Sequence, residues 1–162
     1  MFKLEFEKLE PLCKKDACDK TISEAIETIY HTSDSNIKLF WNSQIVNISW
    51  RYDIGDMFLD ILKMIDMIST SKENINFSLT WPSSSFMATW SFDITKNNLK
   101  ITSKWIGVNG GEEKLNKLKS VSNLIILNKE EFISYWVCLV KAVQKDLKFA
   151  GYDYQRLLEG RG

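Results

Sequence analysis

The sequence predicts an α+β fold, in which a mainly antiparallel sheet (a hairpin plus a three-stranded meander) is packed by two or three amphipathic helices. Three observations carry this. Residues 75–106 alternate apolar and polar side chains in three runs, each holding a tryptophan, which is the period of half-buried strands. Residues 54–68 and 129–147 instead repeat apolar side chains at helical spacing, as helices with one buried face do. Finally, 162 residues with 44% apolar and 26% charged side chains suit one globular domain over 1–162 and exclude disorder.

Taken in order, Phe2, Leu4 and Phe6 alternate with Lys3, Glu5 and Glu7 as a strand that Pro11 ends, and 12–20 is a charged loop. Thr21 with Glu24 fits a capping box for a short helix bearing Ile22, Ala25, Ile26 and Ile29, although its β-branched content also suits a strand. Residues 31–36 are a turn-rich connector. Ile37, Leu39 and Trp41, then Val46, Ile48 and Trp50, form the inner rows of a hairpin turning at Asn42-Ser43, with Asn47 and Ser49 facing out. Asp53 is the expected N-cap of the next helix, with Asp56 in its first turn. Its apolar stripe is Ile54, Met57, Phe58, Ile61, Leu62, Ile65 and Ile68; Asp56, Asp60 and Lys63 lie opposite, and STSKEN (69–74) closes it.

In the meander the matching rows are Ile75, Phe77, Leu79 and Trp81; Phe86, Ala88, Trp90, Phe92 and Ile94; and Leu99, Ile101, Ser103 and Trp105. Pro82 with three serines makes the first turn and Lys96-Asn97-Asn98 the second. Gly107–Gly111 is a flexible loop that lacks a phosphate-binding frame. Residues 112–123 offer one short helical turn around Leu115 and Leu118, and 124–127 a short buried strand. A second capping box, Asn128 with Glu131, starts the strongest helix, lined inside by Phe132, Ile133, Trp136, Val137, Val140, Val143 and Leu147 and stopped at Gly151. The tail 152–162 is a final turn or a loosely ordered arm.

Composition narrows function. Net charge is zero, so no global field favours nucleic acid or an anionic membrane, and no apolar run reaches spanning length. The N-terminus has acids inside its apolar pattern and does not read as a secretory signal; with three cysteines this predicts free thiols in the cytoplasm. Cys138 reads as a core residue. Cys13, Cys18 and the single histidine, His31, lack a fourth partner at zinc-site spacing, so no metal or cofactor is expected. No nucleophile–base motif is present, so no enzyme is expected. A tryptophan-bearing sheet can stack single-stranded bases. Here Lys72, Lys96, Lys100 and Lys104 are its few cations, and packing is the stronger expectation.

Charge distribution is the most suggestive feature. Residues 21–70 hold three basic side chains against seven acids, a net charge of −4. Asp53, Asp56 and Asp60, with Glu112 and Glu113 further on, are the candidate partner-binding residues. The stretch SWRYDIGDMFLDILKMIDMI, the tryptophan meander and the helix KEEFISYWVCLVKAV together resemble immunity proteins of bacterial toxin–immunity pairs, those of contact-dependent growth inhibition above all. The abundance of Asn, Lys, Ile and Ser, as in AT-rich genes, is in keeping. The resemblance implies a protein that binds one cognate protein toxin, often a nuclease, and blocks its active site without a cofactor. It leaves the oligomeric state open.

Overall fold

The computed structural model describes residues 1–31, 37–71 and 74–160. In chain order the elements are β1 (Phe2–Phe6), α1 (Ile22–Ile29), β2 (Ile37–Trp41), β3 (Gln44–Ile48), α2 (Asp53–Thr70), β4 (Ile75–Ser83), β5 (Phe86–Ile94), β6 (Asn98–Val108), α3 (Gly111–Ser120), β7 (Leu124–Asn128), α4 (Lys129–Phe149) and α5 (Tyr154–Leu158). The fold is α+β, with its strands in two antiparallel sheets ordered β1-β2-β3 and β4-β5-β6-β7. The N-terminal strand extends the hairpin, Leu4 facing Leu39, and β7 extends the meander, Leu127 facing Leu99. Most of the connector at 31–36, with Asp34, lies outside the described residues, as do Lys72 and Glu73 of STSKEN and the last two residues of the tail.

Local chemistry accounts for the element ends. At α1 the capping box is complete: Glu24 N donates to Thr21 Oγ1 at 3.2 Å, and the Glu24 carboxylate accepts from the backbone of Lys20 and Thr21. Those two backbone N–H groups hold the Glu24 carboxyl below its usual range. At α4 only half of the predicted box exists. Asn128 Oδ1 accepts from Glu130 N and Glu131 N, but the Glu131 carboxylate accepts from Tyr135 Oη one turn on. The helix stops as predicted at Gly151, whose φ of +90° suits glycine. Gly151 N bonds Lys148 O and Tyr152 N bonds Leu147 O, the two bonds of a Schellman end.

Several expectations are corrected. Cys138 is exposed, because from Trp136 the helical period buries Leu139, Val140 and Val143 and turns Cys138 outward. Ser49 is buried in the turn after β3, and Trp50 lies in that turn, not on the strand. Pro82 belongs to β4, which tolerates it as an edge strand. On that edge Ile75 stays 38% exposed and Phe77 and Leu79 are half-buried, so the first apolar row is covered only at Trp81. The glycine-rich loop shrinks to Asn109-Gly110, and the ambiguous stretch after it is a ten-residue helix, α3. The tail folds into α5, with Tyr152 and Leu157 buried.

All six tryptophans are buried. Trp90 on β5 packs against Phe2, Trp41, Trp81, Phe86, Trp105 and Trp136, so one ring joins both sheets to α4. Trp41 meets Trp105 edge to face at 5.2 Å, a favoured aromatic geometry. Asn42, at φ +54° in the β2–β3 turn, adds a polar tie by donating to Ser122 O at 2.7 Å beside β7. The helices add to this core: α2 packs against α1, α4 and β4, and α3 packs against β6.

Candidate functional site

Asp53, Glu112 and Glu113 come together at one end of the second sheet, with Asp56 and Asp60 further along α2. Register puts Ser83 of β4 opposite Phe86 of β5, and Phe86 opposite Val108 of β6, so the β4–β5 turn and the end of β6 share that end. The start of α2 is bonded to the first, and the start of α3 follows directly from the second.

Asp53 makes the first join, and it is not the surface acid or the N-cap that its position suggests. Tyr52 is the N-cap residue, without a side-chain cap, and Asp53 is the first helical residue, with no exposed surface. Its carboxylate points inward. Oδ2 accepts from Ser49 N at 2.7 Å, and Oδ1 accepts from the hydroxyls of Ser83 and Ser85, the latter at 2.5 Å. Ser49 meanwhile starts the helix, its Oγ accepting from Tyr52 N at 3.3 Å and its carbonyl from Ile54 N at 3.0 Å. A buried carboxylate needs such partners to offset lost hydration.

The chain of bonds continues across the sheet end. Asn109 N donates to Ser85 O at 2.8 Å, and the next residues enter α3 through Gly110 and Gly111, both at positive φ. Glu112 and Glu113 occupy the first turn of α3, where a helix N-terminus favours negative charge. Glu113 is engaged: Lys117 Nζ lies 2.7 Å from its carboxylate and holds that carboxyl below its usual range, first by hydrogen bonding and then by charge.

Asp56 and Asp60 lie beyond Asp53 on α2, Asp56 exposed and Asp60 half-buried. Partial burial, then the charge of Asp53, raises the Asp56 carboxyl above its usual range. Beside them stand two apolar side chains that the sequence reading passed over: Tyr52, 44% exposed with the Arg51 guanidinium 5.4 Å from its ring centre, and Leu59, 56% exposed. Leu59 falls outside the buried stripe, and an apolar residue on a polar helix face was the available signal. Ser49, Ser83 and Ser85 gave no signal, being short polar residues in or beside turns. α1 lies alongside α2 at Gly55, where a Cβ would sit 3.5 Å from Glu27 Cγ; this brings another acid next to the face.

The other candidate chemistries are not assembled here. Cys13, Cys18 and His31 are exposed, and among the described residues no three His, Cys, Asp or Glu side chains are grouped to hold a metal ion. The tryptophans offer no ring for base stacking, since each is packed within the core. Among the described residues no helix is long and apolar enough to cross a membrane. A second polar centre lies elsewhere: Tyr30 Oη donates to Asp146 Oδ2 at 2.8 Å, joining α1 to α4 beside a cleft of about 460 Å³ whose wall includes Leu9, Pro11 and Phe149. Compared with protein-family models, curated proteins and solved structures, the chain matches none.

Proposed function

We propose that this protein is an immunity protein that binds one cognate bacterial toxin, a nuclease, in the cytoplasm and neutralises it by covering the active site. The observation that carries the reading is the outer face of α2. Exposed Tyr52 and Leu59 stand among Asp56, Asp60 and Asp66, three acids to the single cation Lys63, on a helix whose opposite face is packed. Aromatic and aliphatic anchors supply most interface energy when they are presented rigidly. Acids around them steer a basic partner and exclude others. Zero net charge is compatible with this role, because residues 21–70 are poor in cations, three against seven acids, while the rest of the chain carries 18 cations against 14 acids.

The protein acts by occlusion and needs neither a cofactor nor chemistry of its own. The competing idea, a sheet that stacks single-stranded nucleic acid, has no exposed tryptophan ring to use. Co-expression with the product of the gene directly upstream is the test. The expected result is a stable co-purifying complex and survival of cells that the neighbouring protein alone would kill. Failure to bind or to protect against any neighbouring gene product overturns the proposal.

A further inference from the structure

We propose that Asp53 is a positioning residue that couples three turns into one cooperative docking platform; its link to toxin binding rests on the function proposed above. The turns are separate in sequence: 49–52 before α2, Ser84-Ser85 between β4 and β5, and Asn109-Gly110 between β6 and α3. Asp53 touches the first two directly, through Ser49 N on one carboxylate oxygen and through Ser83 and Ser85 on the other. The third is held indirectly, by Asn109 N on Ser85 O. Ser49, Asp53 and Ser83 are buried, so the bonds among them are shielded from water, while Ser85 is half-buried and Asn109 exposed at the outer end of the chain of bonds.

The residues that reach solvent around this centre do not touch the carboxylate. Tyr52 immediately precedes it, Asp56 lies one helical turn on, and Glu112 follows the third turn. Asp53 therefore sets where these side chains stand relative to one another without contacting a partner itself. A leucine at 53 keeps about the same size and removes both acceptors, so it releases the two turns that the carboxylate holds directly. An asparagine can turn its amide to accept from Ser49 N–H and donate to the serine hydroxyl oxygens, and is the variant expected to keep them.

Amide hydrogen exchange of the unliganded protein tests the coupling, and toxin-binding kinetics test its use. In Asp53→Leu, exchange at 49–53, at 83–86 and at Asn109 is expected to rise together by about tenfold or more, with the β5 core unchanged. Binding of the toxin should weaken by a similar factor. Ser85→Ala should raise exchange at Asn109 in the same way, and Ser85→Thr, which keeps the hydroxyl, should restore it; this pair decides the matter if Asp53→Leu does not fold. Unchanged protection at 83–86 and Asn109 in folded Asp53→Leu or Ser85→Ala overturns the coupling. Loosened turns with undiminished toxin affinity overturn the positioning role. If the wild-type protein binds no toxin, the functional proposal fails, while exchange still decides the coupling.

Discussion

At the scale of single residues, two buried carboxylates with different surroundings matter most. Asp146 accepts from the Tyr30 hydroxyl, and burial raises its carboxyl above the usual range, against the lowering effects of that hydrogen bond and of the charges of Lys145 and Lys8. Because the folded value lies above the unfolded one, the group favours folding at acid pH, and that contribution is lost as pH rises from about 4 through the raised value. Asp146→Asn keeps an acceptor for the Tyr30 hydroxyl and removes the ionisation. It should be more stable than wild type at neutral pH, with the difference shrinking towards pH 4 in urea titrations. Asp146→Ala orphans the Tyr30 hydroxyl and should cost about 1–3 kcal/mol. On the docking face, Tyr52→Ala should weaken toxin binding by about 2 kcal/mol, roughly 30-fold, with no change in the thermal midpoint, by calorimetry. Asp56→Asn should separate function from stability. Its raised carboxyl makes ionisation unfavourable to the fold, so the variant should melt slightly higher at neutral pH while its association with a basic toxin slows.

At the scale of elements, periodicity and capping were legible wherever one segment decides its own shape. The stripe of α2 from Ile54 to Ile68, the capping box of α1 and the stop at Gly151 all follow from residues within a few positions of one another. The reading failed where an element depends on a distant one. α3 has little apolar periodicity, and it is held by Leu118 buried beneath it and by its packing on β6. Asn128 caps α4, yet Tyr135 claims the Glu131 carboxylate that sequence spacing assigned to the box. One position within α2 is open to improvement. Gly55 is helical without a positive φ, and an added Cβ meets Glu27 and Ser23 at 3.5–3.6 Å, ordinary contact distances. Gly55→Ala should therefore stabilise the protein by about 0.5–1 kcal/mol in denaturant unfolding; a destabilised variant would mean that α1 cannot accommodate the methyl group.

At the scale of the whole molecule, the aromatic centre unites what the strand order keeps apart. The two sheets share no strand, and Trp90, with Trp41 and Phe2 from the first sheet and Trp136 from α4, closes the space between them. Trp90→Ala should cost about 3–5 kcal/mol, a large part of the usual stability of a domain, and should show as loss of cooperative unfolding or of soluble expression. A mild effect would mean that the two sheets are held chiefly by other contacts. What the sequence determined by itself was most of the strands and helices, most of the inward rows and the aromatic character of the core, because alternation, helical spacing and caps act between near neighbours along the chain. Only the tertiary structure decided that the strands divide into two sheets, that Cys138 faces out, and that Asp53 turns inward to serines some thirty residues away. The physical reason is that a carboxylate next to a helix start satisfies itself equally well in water or on a buried hydroxyl. The choice belongs to whichever distant turn the fold brings against it.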